Sequence, residues 1–368
     1  MAYIRKRGSK YYFTVWARQN GDIIKHEYAG GSSRSEAEKA FRKFILETDR
    51  TGRYFEPSEL LFDEYLKEWI EKYCSVYLKQ NTVDEYTSVI KHHISSKFGK
   101  YKLIEITTAE VQDWLIELLT EYSRSTVKTI LSCLRSSLRW AVANRRYILV
   151  NPMDNVKLPP NRTAIKKPKI FTPDDITKIF EKFSYGNQLH MPCILAYYTG
   201  MRLGECLALT WDNVDMTRKT INVVNNVYDK NGSPKIISTK TVSSTRTISF
   251  GIKLYNEFKK QELWQAKNRL KYGSQYKVTD FVCTLENGRI MTSNNAHYFG
   301  SWCREKLGHG SFHSFRHTHA SMLLEHGLPL DYVSKRLGHS SIYTTANVYD
   351  TITDKREKDA VNAMDAFL

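Results

Sequence analysis

The stretch 157–169 most restricts how this chain can fold. It contains Pro159, Pro160 and Pro168, five lysines or arginines, and no acid. Each proline fixes φ, removes a backbone donor and pushes the preceding residue toward an extended conformation. Neither a helix nor a central strand can pass through such a run, so it reads as a linker, and the chain must fold as separate units on either side. At 368 residues, 41% of them hydrophobic, there is enough apolar material for a core in each.

The residues before the linker show two patterns. Tyr11 to Ala17 is rich in strand formers, Asn20-Gly21 is a hairpin turn signal, and Ile23 to Tyr28 supplies a return strand. Ser35 followed by Glu38 predicts a capping box at the head of a helix carrying Ala37, Phe41 and Phe44. Residues 1–55 therefore read as a small α+β unit. The basic run Arg5-Lys6-Arg7 ahead of it reads either as a solvated tail or as a contact for a polyanion. From 57 to 155 the apolar spacing is helical throughout. There are four stripes: Phe62 to Ile70, Val83 to Ile94, Val111 to Leu119 behind Thr107 or Thr108, and one running from Thr126 to about Val142. The fourth carries Lys128, Arg135 and Arg139 on its other positions, giving a four-helix bundle with a basic face.

Residues 156–170 form the basic linker, with Lys166 and Lys167 in its second half. From 171 to 368 the pattern is mixed and mainly α. Thr172-Pro173 opens a helix, and Gly200 ends one before Leu203, Cys206 and Leu207 start the next. Strands are predicted at Thr220–Val227, Lys235–Thr239 and Arg246–Phe250. Ala360, Val361, Met364, Phe367 and Leu368 form an amphipathic stripe in the tail.

The net charge of +16 implies a polyanionic partner, because each lysine or arginine placed on a phosphate releases counterions. The six cysteines include no Cys-x-x-Cys pair, which argues against a zinc ribbon or a redox motif. The start lacks the apolar segment of a secretion signal and no run is long enough to span a bilayer, so a cytoplasmic location is expected.

Several residues of the mixed region could share one chemistry. Arg202 stands at a helix start, where backbone N–H groups favour an anion. Lys240 falls between two strands and would project from a hairpin, with Lys235 as a competitor. His313 and Arg316 are three apart and share a face if helical. His339 follows the helix predicted over Leu330–Leu337, and Tyr349 comes ten residues later. Two arginines, two histidines and a lysine can hold a phosphodiester while a tyrosine attacks it. Other readings stand beside this one. His313 with His317 at i and i+4 could bind zinc, although no glutamate of the His-Glu-x-x-His type accompanies them. Leu330 to Tyr349 also has the outline of a helix-turn-helix. Tyr343 competes with Tyr349, since tyrosines are abundant and none is special by type.

The segments Thr199-Gly200-Met201-Arg202-Leu203-Gly204-Glu205, His313-Ser314-Phe315-Arg316-His317-Thr318 and Leu337-Gly338-His339 through Tyr349 resemble the boxes of the tyrosine recombinases, most closely integrases of temperate phages and conjugative transposons. The resemblance covers essentially the whole chain. It implies an arm-type DNA-binding domain over 1–55, a helical core-site DNA-binding domain over 57–155, and a catalytic domain over 171–368 ending in a tail helix. It implies that Arg202 and Arg316 clamp the scissile phosphate, that Glu205 supports the site, that Lys240 protonates the leaving 5′ oxygen and that His313 acts as base. His339 would donate to the phosphate and Tyr349 would be the nucleophile. The implied reaction integrates or excises a mobile element through a 3′-phosphotyrosyl intermediate, with neither metal nor cofactor. The implied partners are double-stranded DNA at core and arm sites, three further copies in a tetramer, and an accessory DNA-bending or excision factor. Arg5, Lys6, Arg7, Lys128, Arg135, Arg139, Lys166 and Lys167 are the expected DNA contacts. The rival functions are relaxation of DNA by a type IB topoisomerase and non-catalytic regulation by DNA binding.

Overall fold

The computed structural model describes residues 3–19, 22–51, 60–145, 147–148, 150–160, 168–230, 233–238, 245–339, 341–342 and 346. The chain parts into two compact units, Met1–Asn161 and Arg162–Leu368. The Asn20-Gly21 turn, the Asn231-Gly232 turn, Lys166, Lys167, Lys240, Tyr343, Tyr349 and the tail stripe lie outside the described residues.

The first unit begins with an antiparallel sheet of order β1-β2-β3, made of β1 (Tyr3–Arg7), β2 (Lys10–Gln19) and β3 (Asp22–Gly31). Gln19 pairs with Asp22. The basic run is not a tail. It is strand β1, with Arg5 opposite Tyr12 and Lys6 opposite Tyr11. Arg5 donates through Nη2 to the Glu27 carboxylate at 2.8 Å, while Lys6 and Arg7 remain exposed. Helix α1 (Arg34–Thr51) covers the sheet through Phe44, which packs on the buried Phe13. Its capping box is Ser33 with Glu36, two residues earlier than predicted. Ser33 Oγ accepts from the Glu36 N–H at 3.2 Å, and the Glu36 carboxylate accepts in return from the Ser33 N–H at 3.3 Å. Glu38 is thereby left inside the helix, where it pairs with Arg34 at 3.4 Å.

The bundle follows. Helix α2 (Phe62–Trp69) continues through a wide π-type turn, Ile70–Cys74, into α3 (Ser75–Tyr77). Helix α4 (Gln80–Val89) runs in the same way through Ile90–Ile94 into α5 (Ser95–Phe98). Helices α6 (Thr108–Glu121) and α7 (Arg124–Trp140) complete it. Thr107 and Glu110 cap α6 reciprocally, and Ser123 caps α7, which starts ahead of the expected Thr126. The four stripes meet in one core that includes Phe62, Trp69, Ile94, Phe98, Leu115, Ile130 and Leu134. Lys128 and Arg139 are exposed on α7 and Arg135 is half-buried. The first linker residues belong to the bundle. Met153 and Val156 lie in its core, and the Gln112 amide brackets the Lys157 backbone with bonds of 3.0 and 3.2 Å. Proline stops helix propagation but does not prevent packing.

In the second unit Phe171 is already buried, and its N–H donates to Thr318 Oγ1 at 2.8 Å. Helices α8 (Pro173–Lys182), α9 (His190–Thr199) and α10 (Leu203–Leu207) come next. Two small antiparallel sheets follow, one of order β4-β5-β8 and one of β6-β7. Their strands are β4 (Val214–Asp215), β5 (Thr220–Val223), β6 (Asn225–Lys230), β7 (Ser233–Ser238) and β8 (Arg246–Ser249). The single strand predicted over Thr220–Val227 is therefore two, because the chain leaves one sheet for the other at Val224. Gly204 of α10 sits against β6 so closely that a Cβ there would lie 2.2 Å from Asn226 Oδ1.

Helices α11 (Ile252–Tyr272), α12 (Ser293–Lys306), α13 (Phe312–Glu325) and α14 (Leu330–Leu337) close the unit. A wall of aromatic rings seats α13. Phe315 lies 5.2 Å from Phe171 and 5.3 Å from Phe299, centroid to centroid. Ala320 and Leu324 then pack against Val333 and Leu337, which fixes α14 on α13.

Gly200 connects this packing to local backbone geometry. It ends α9 at φ +68°, and a Cβ there would fall 2.5 Å from Leu337 Cδ2 and 2.9 Å from the His319 ring. Gly200→Ala combines left-handed strain with a clash at the α13–α14 contact. A loss of about 2 kcal/mol or more is expected, read as a lower urea midpoint with an unchanged slope; a wild-type midpoint would contradict this account.

Candidate active site

The C-terminal end of α14 organises the site. A helix leaves its last carbonyls without intrahelical partners. Gly338, left-handed at φ +68°, closes this one by donating to the Lys335 carbonyl at 3.0 Å, while the His339 N–H donates to Ser334 at 3.1 Å. That is the Schellman arrangement. The three outer carbonyls are taken by three different arginines. Arg246 Nε donates to the Arg336 carbonyl at 2.8 Å, Arg316 Nη2 to Leu337 at 2.6 Å, and Arg202 Nη2 to Gly338 at 3.3 Å. The negative end of the helix dipole favours such cations.

These arginines arrive from separate elements. Arg202 is the residue before α10, Arg246 opens β8, and Arg316 lies one turn into α13. Glu205 holds two of them. Its carboxylate accepts from the Arg202 N–H and from Arg202 Nη1, both at 2.9 Å, and from Arg246 Nη1 and Nη2 at 3.2 and 2.9 Å. Burial acts to raise its pKa, but the bonds from Arg246 and the charges of both arginines outweigh it and hold the carboxyl below the usual range. Arg316 is 2% exposed and also donates to the Gly200 carbonyl at 2.9 Å. Burial, then the charge of Arg202, bring it down to about 9, so it stays cationic at neutral pH.

The histidines are neutral here. His339 accepts at Nε2 from Arg316 Nε at 3.2 Å, which assigns its proton to Nδ1. Desolvation and the charges of Arg316 and Arg202 lower it to about 3. His313 sits at the solvent-facing start of α13, its ring 4.8 Å from that of His317. Partial desolvation, then His317, Arg316 and Arg202, lower it to about 4. His319 faces away from any metal role, because both ring nitrogens are engaged. Nδ1 meets the Tyr197 carbonyl at 2.9 Å and Nε2 accepts from Arg336 Nε at 3.3 Å. Among the described residues no cluster of three or more His, Cys, Asp or Glu could hold a metal ion. All six cysteines are buried and free.

Five of the residues singled out from the sequence, Arg202, Glu205, His313, Arg316 and His339, thus converge at one place. Lys240 and Tyr349 lie outside the described residues, while Lys235 is exposed on β7 opposite Tyr228. Sequence reasoning missed Arg246 and Arg336. Arg246 was visible only as a strand residue, and nothing in a single sequence distinguishes a buried guanidinium from a solvated one. Arg336 reads as a surface residue of α14, yet it bridges His319 and the Ser249 carbonyl.

Comparison with known proteins gives this arrangement a context. Residues 169–356, half of the chain, match the model of the phage integrase family. The chain belongs to the phage integrase family. Residues 61–119 match the SAM-like N-terminal domain of phage integrases. This integrase-family chain is 28% identical over 383 residues to the XerC-like tyrosine recombinase of Caldanaerobacter subterraneus subsp. tengcongensis, covering 98% of this chain and 97% of that one. It is 29% identical over 302 residues to the ICEBs1 integrase of Bacillus subtilis, covering 80% of each. Among solved structures, the Tn1549 transposon integrase in complex with transposon right end DNA superposes with a TM-score of 0.64 at 20% identity, covering 82% of this chain and all of that one. The lambda integrase tetramer bound to a Holliday junction gives 0.57 at 20% identity, covering 94% of each chain. At that identity the two structures establish the fold. The helix-rich architecture with small sheets is that of the tyrosine recombinase integrases. Among the described residues no helix is long and apolar enough to cross a membrane.

The depressed histidines give the integrase a pH signature. An unfolded histidine takes up its proton near pH 6.5, whereas His313 and His319 in the fold do so only near 4 and His339 near 3. Between these limits the unfolded chain binds more protons, so stability is fully present above 6.5 and falls as the pH drops. Glu205, held below its ordinary value of 4.5, extends the loss further into acid. Urea midpoints should therefore decline steadily from pH 7 to pH 4.5, and His319→Gln should flatten the decline. A midpoint independent of pH would refute the assignment of neutral histidines.

Proposed function

We propose that this chain is a site-specific tyrosine recombinase that integrates or excises a mobile element, with Tyr349 as its nucleophile. The observation that carries the reading is the group of arginines on the end of α14 beside two neutral histidines, in a chain of the phage integrase family. Arg202 and Arg316 meet the charge that grows on the equatorial oxygens as Tyr349 Oη attacks the scissile phosphorus. The P–O5′ bond breaks, a 3′-phosphotyrosyl ester forms, and Lys240 gives a proton to the leaving 5′ oxygen. His313 takes the tyrosine proton. Its lowered pKa keeps it in the accepting form at neutral pH, and a bound phosphate raises that value. His339 donates to the phosphate through its ring N–H. A 5′-hydroxyl of a second duplex then attacks the ester and restores the tyrosine, so the bond energy is conserved.

Residues 1–55 bind arm sites through Arg5, Lys6, Arg7 and the neighbouring aromatic strands, Arg5 being oriented by its bond to Glu27. The bundle holds the core site with Lys128, Arg135 and Arg139, and Lys166 and Lys167 follow the backbone from the linker. The lambda integrase solved as a tetramer on a Holliday junction supports assembly of four protomers on DNA. In that assembly the amphipathic stripe from Ala360 to Leu368 docks on a neighbour. Relatives from bacteria and phages support action in the bacterial cytoplasm. An accessory DNA-bending or excision factor is a further partner in this reading.

Two experiments test the roles. Tyr349→Phe should bind core-site DNA normally yet trap no covalent adduct on a nicked suicide substrate; adduct from that variant and none from Tyr343→Phe would move the nucleophile. Arg202→Ala and Arg316→Ala should each slow single-turnover cleavage by roughly 100- to 1000-fold at saturating DNA. A defect in affinity alone would make them binding residues. On a plasmid carrying two sites, joining at those sites distinguishes recombination from simple relaxation and from binding without cleavage.

A further inference from the structure

We propose that Arg246 is a positioning residue which takes up the charge of Glu205, so that Arg202 keeps its own charge for the phosphate. The inference rests on the reading of Arg202 as a phosphate-binding arginine. Glu205 is needed where it stands, because its carboxylate accepts the N–H of Arg202 and so shapes the start of α10. It is only 4% exposed, and a carboxylate so buried requires a cationic partner. If Arg202 were the sole candidate, the paired geometry of guanidinium and carboxylate would draw it into a two-bond fork, its charge cancelled and its donors turned away from solvent.

Arg246 occupies that fork instead. Its two terminal nitrogens meet the two Glu205 oxygens at 3.2 and 2.9 Å. Arg202 reaches the same carboxylate with a single side-chain nitrogen, at 2.9 Å. Exposure separates the two roles. The Arg202 side chain is 38% exposed and keeps a face open to a ligand, whereas that of Arg246 is 7% exposed and both its terminal nitrogens lie on Glu205. Arg246 also spends its Nε on the Arg336 carbonyl, which fixes the start of β8 against α14. The strand thereby anchored is the one that follows the segment carrying Lys240. Of the charges gathered here, Glu205 and Arg246 cancel, and Arg202 and Arg316 are left to face an anion.

The test uses the full-length protein and single-turnover cleavage of a nicked core-site duplex. Arg246→Ala should cleave roughly 10- to 100-fold more slowly at saturating DNA, a smaller loss than for Arg202→Ala. Adding Glu205→Gln to Arg246→Ala should recover much of that rate, because a neutral amide no longer captures Arg202. The defect of Arg246→Ala should also shrink on a duplex whose scissile phosphate is a neutral methylphosphonate, since the charge that Arg202 meets is then gone. A merely structural residue would slow both substrates equally and would not be rescued by the glutamine. Should Arg246→Ala fail to fold, Glu205→Gln is compared with the double variant. The proposal requires those two to cleave alike, and a slower double variant overturns it. If Arg202→Ala cleaves normally, the phosphate reading itself falls. If Arg202→Ala fails while Arg246→Ala cleaves normally, only the present inference falls.

Discussion

Three consecutive carbonyls at the end of α14, those of Arg336, Leu337 and Gly338, are each held by an arginine from a different element, and the site depends on that contact. Guanidiniums brought together repel one another. Here the repulsion is offset by the negative end of a helix dipole and by one buried carboxylate, Glu205. The offset is incomplete, since three arginines face one glutamate. The remaining positive potential is fixed in place by the fold, so an anion placed there would meet it with little reorganisation.

The histidines respond to the same potential. His313 and His339 are held neutral first because burial penalises the charged form, and then because protonation would add charge to a place already rich in it. An anion placed there would reverse that condition and raise their affinity for protons. At neutral pH the folded unit therefore favours the neutral form of both histidines.

The surrounding fold keeps α14 in register. The aromatic wall of Phe171, Phe299 and Phe315 seats α13, and the small cluster of Ala320, Leu324, Val333 and Leu337 seats α14 upon it. Gly200 and Gly338 turn the chain where a side chain would not fit or would strain the backbone. One carbonyl at each of these turns, Gly200 and Gly338, accepts from an arginine of the site, so the turns that end helices also orient the guanidiniums.

Much of this was legible in the sequence, where local chemistry decides. The cap at Thr107, the start at Thr172-Pro173, the break at Gly200, the helix over Leu330–Leu337 and the apolar stripes of the bundle all follow from backbone preferences and periodicity within a few residues. The spaced boxes likewise indicated Arg202, Glu205, His313, Arg316 and His339 as one group. Local rules misplaced the cap of α1, read β1 as a possible tail and joined β5 to β6, because sheet pairing and helix entry depend on distant partners. The place of Arg246 was decided only by tertiary structure. Its bonds reach Glu205 across 41 positions and the Arg336 carbonyl across 90, and those of Arg202 and Arg316 reach Gly338 and Gly200 across 136 and 116. Sequence fixes which residues carry charge. Whether a given arginine is solvated, buried against a carboxylate or aimed at a ligand is settled by which remote backbone carbonyls and side chains the packed helices bring within hydrogen-bond reach.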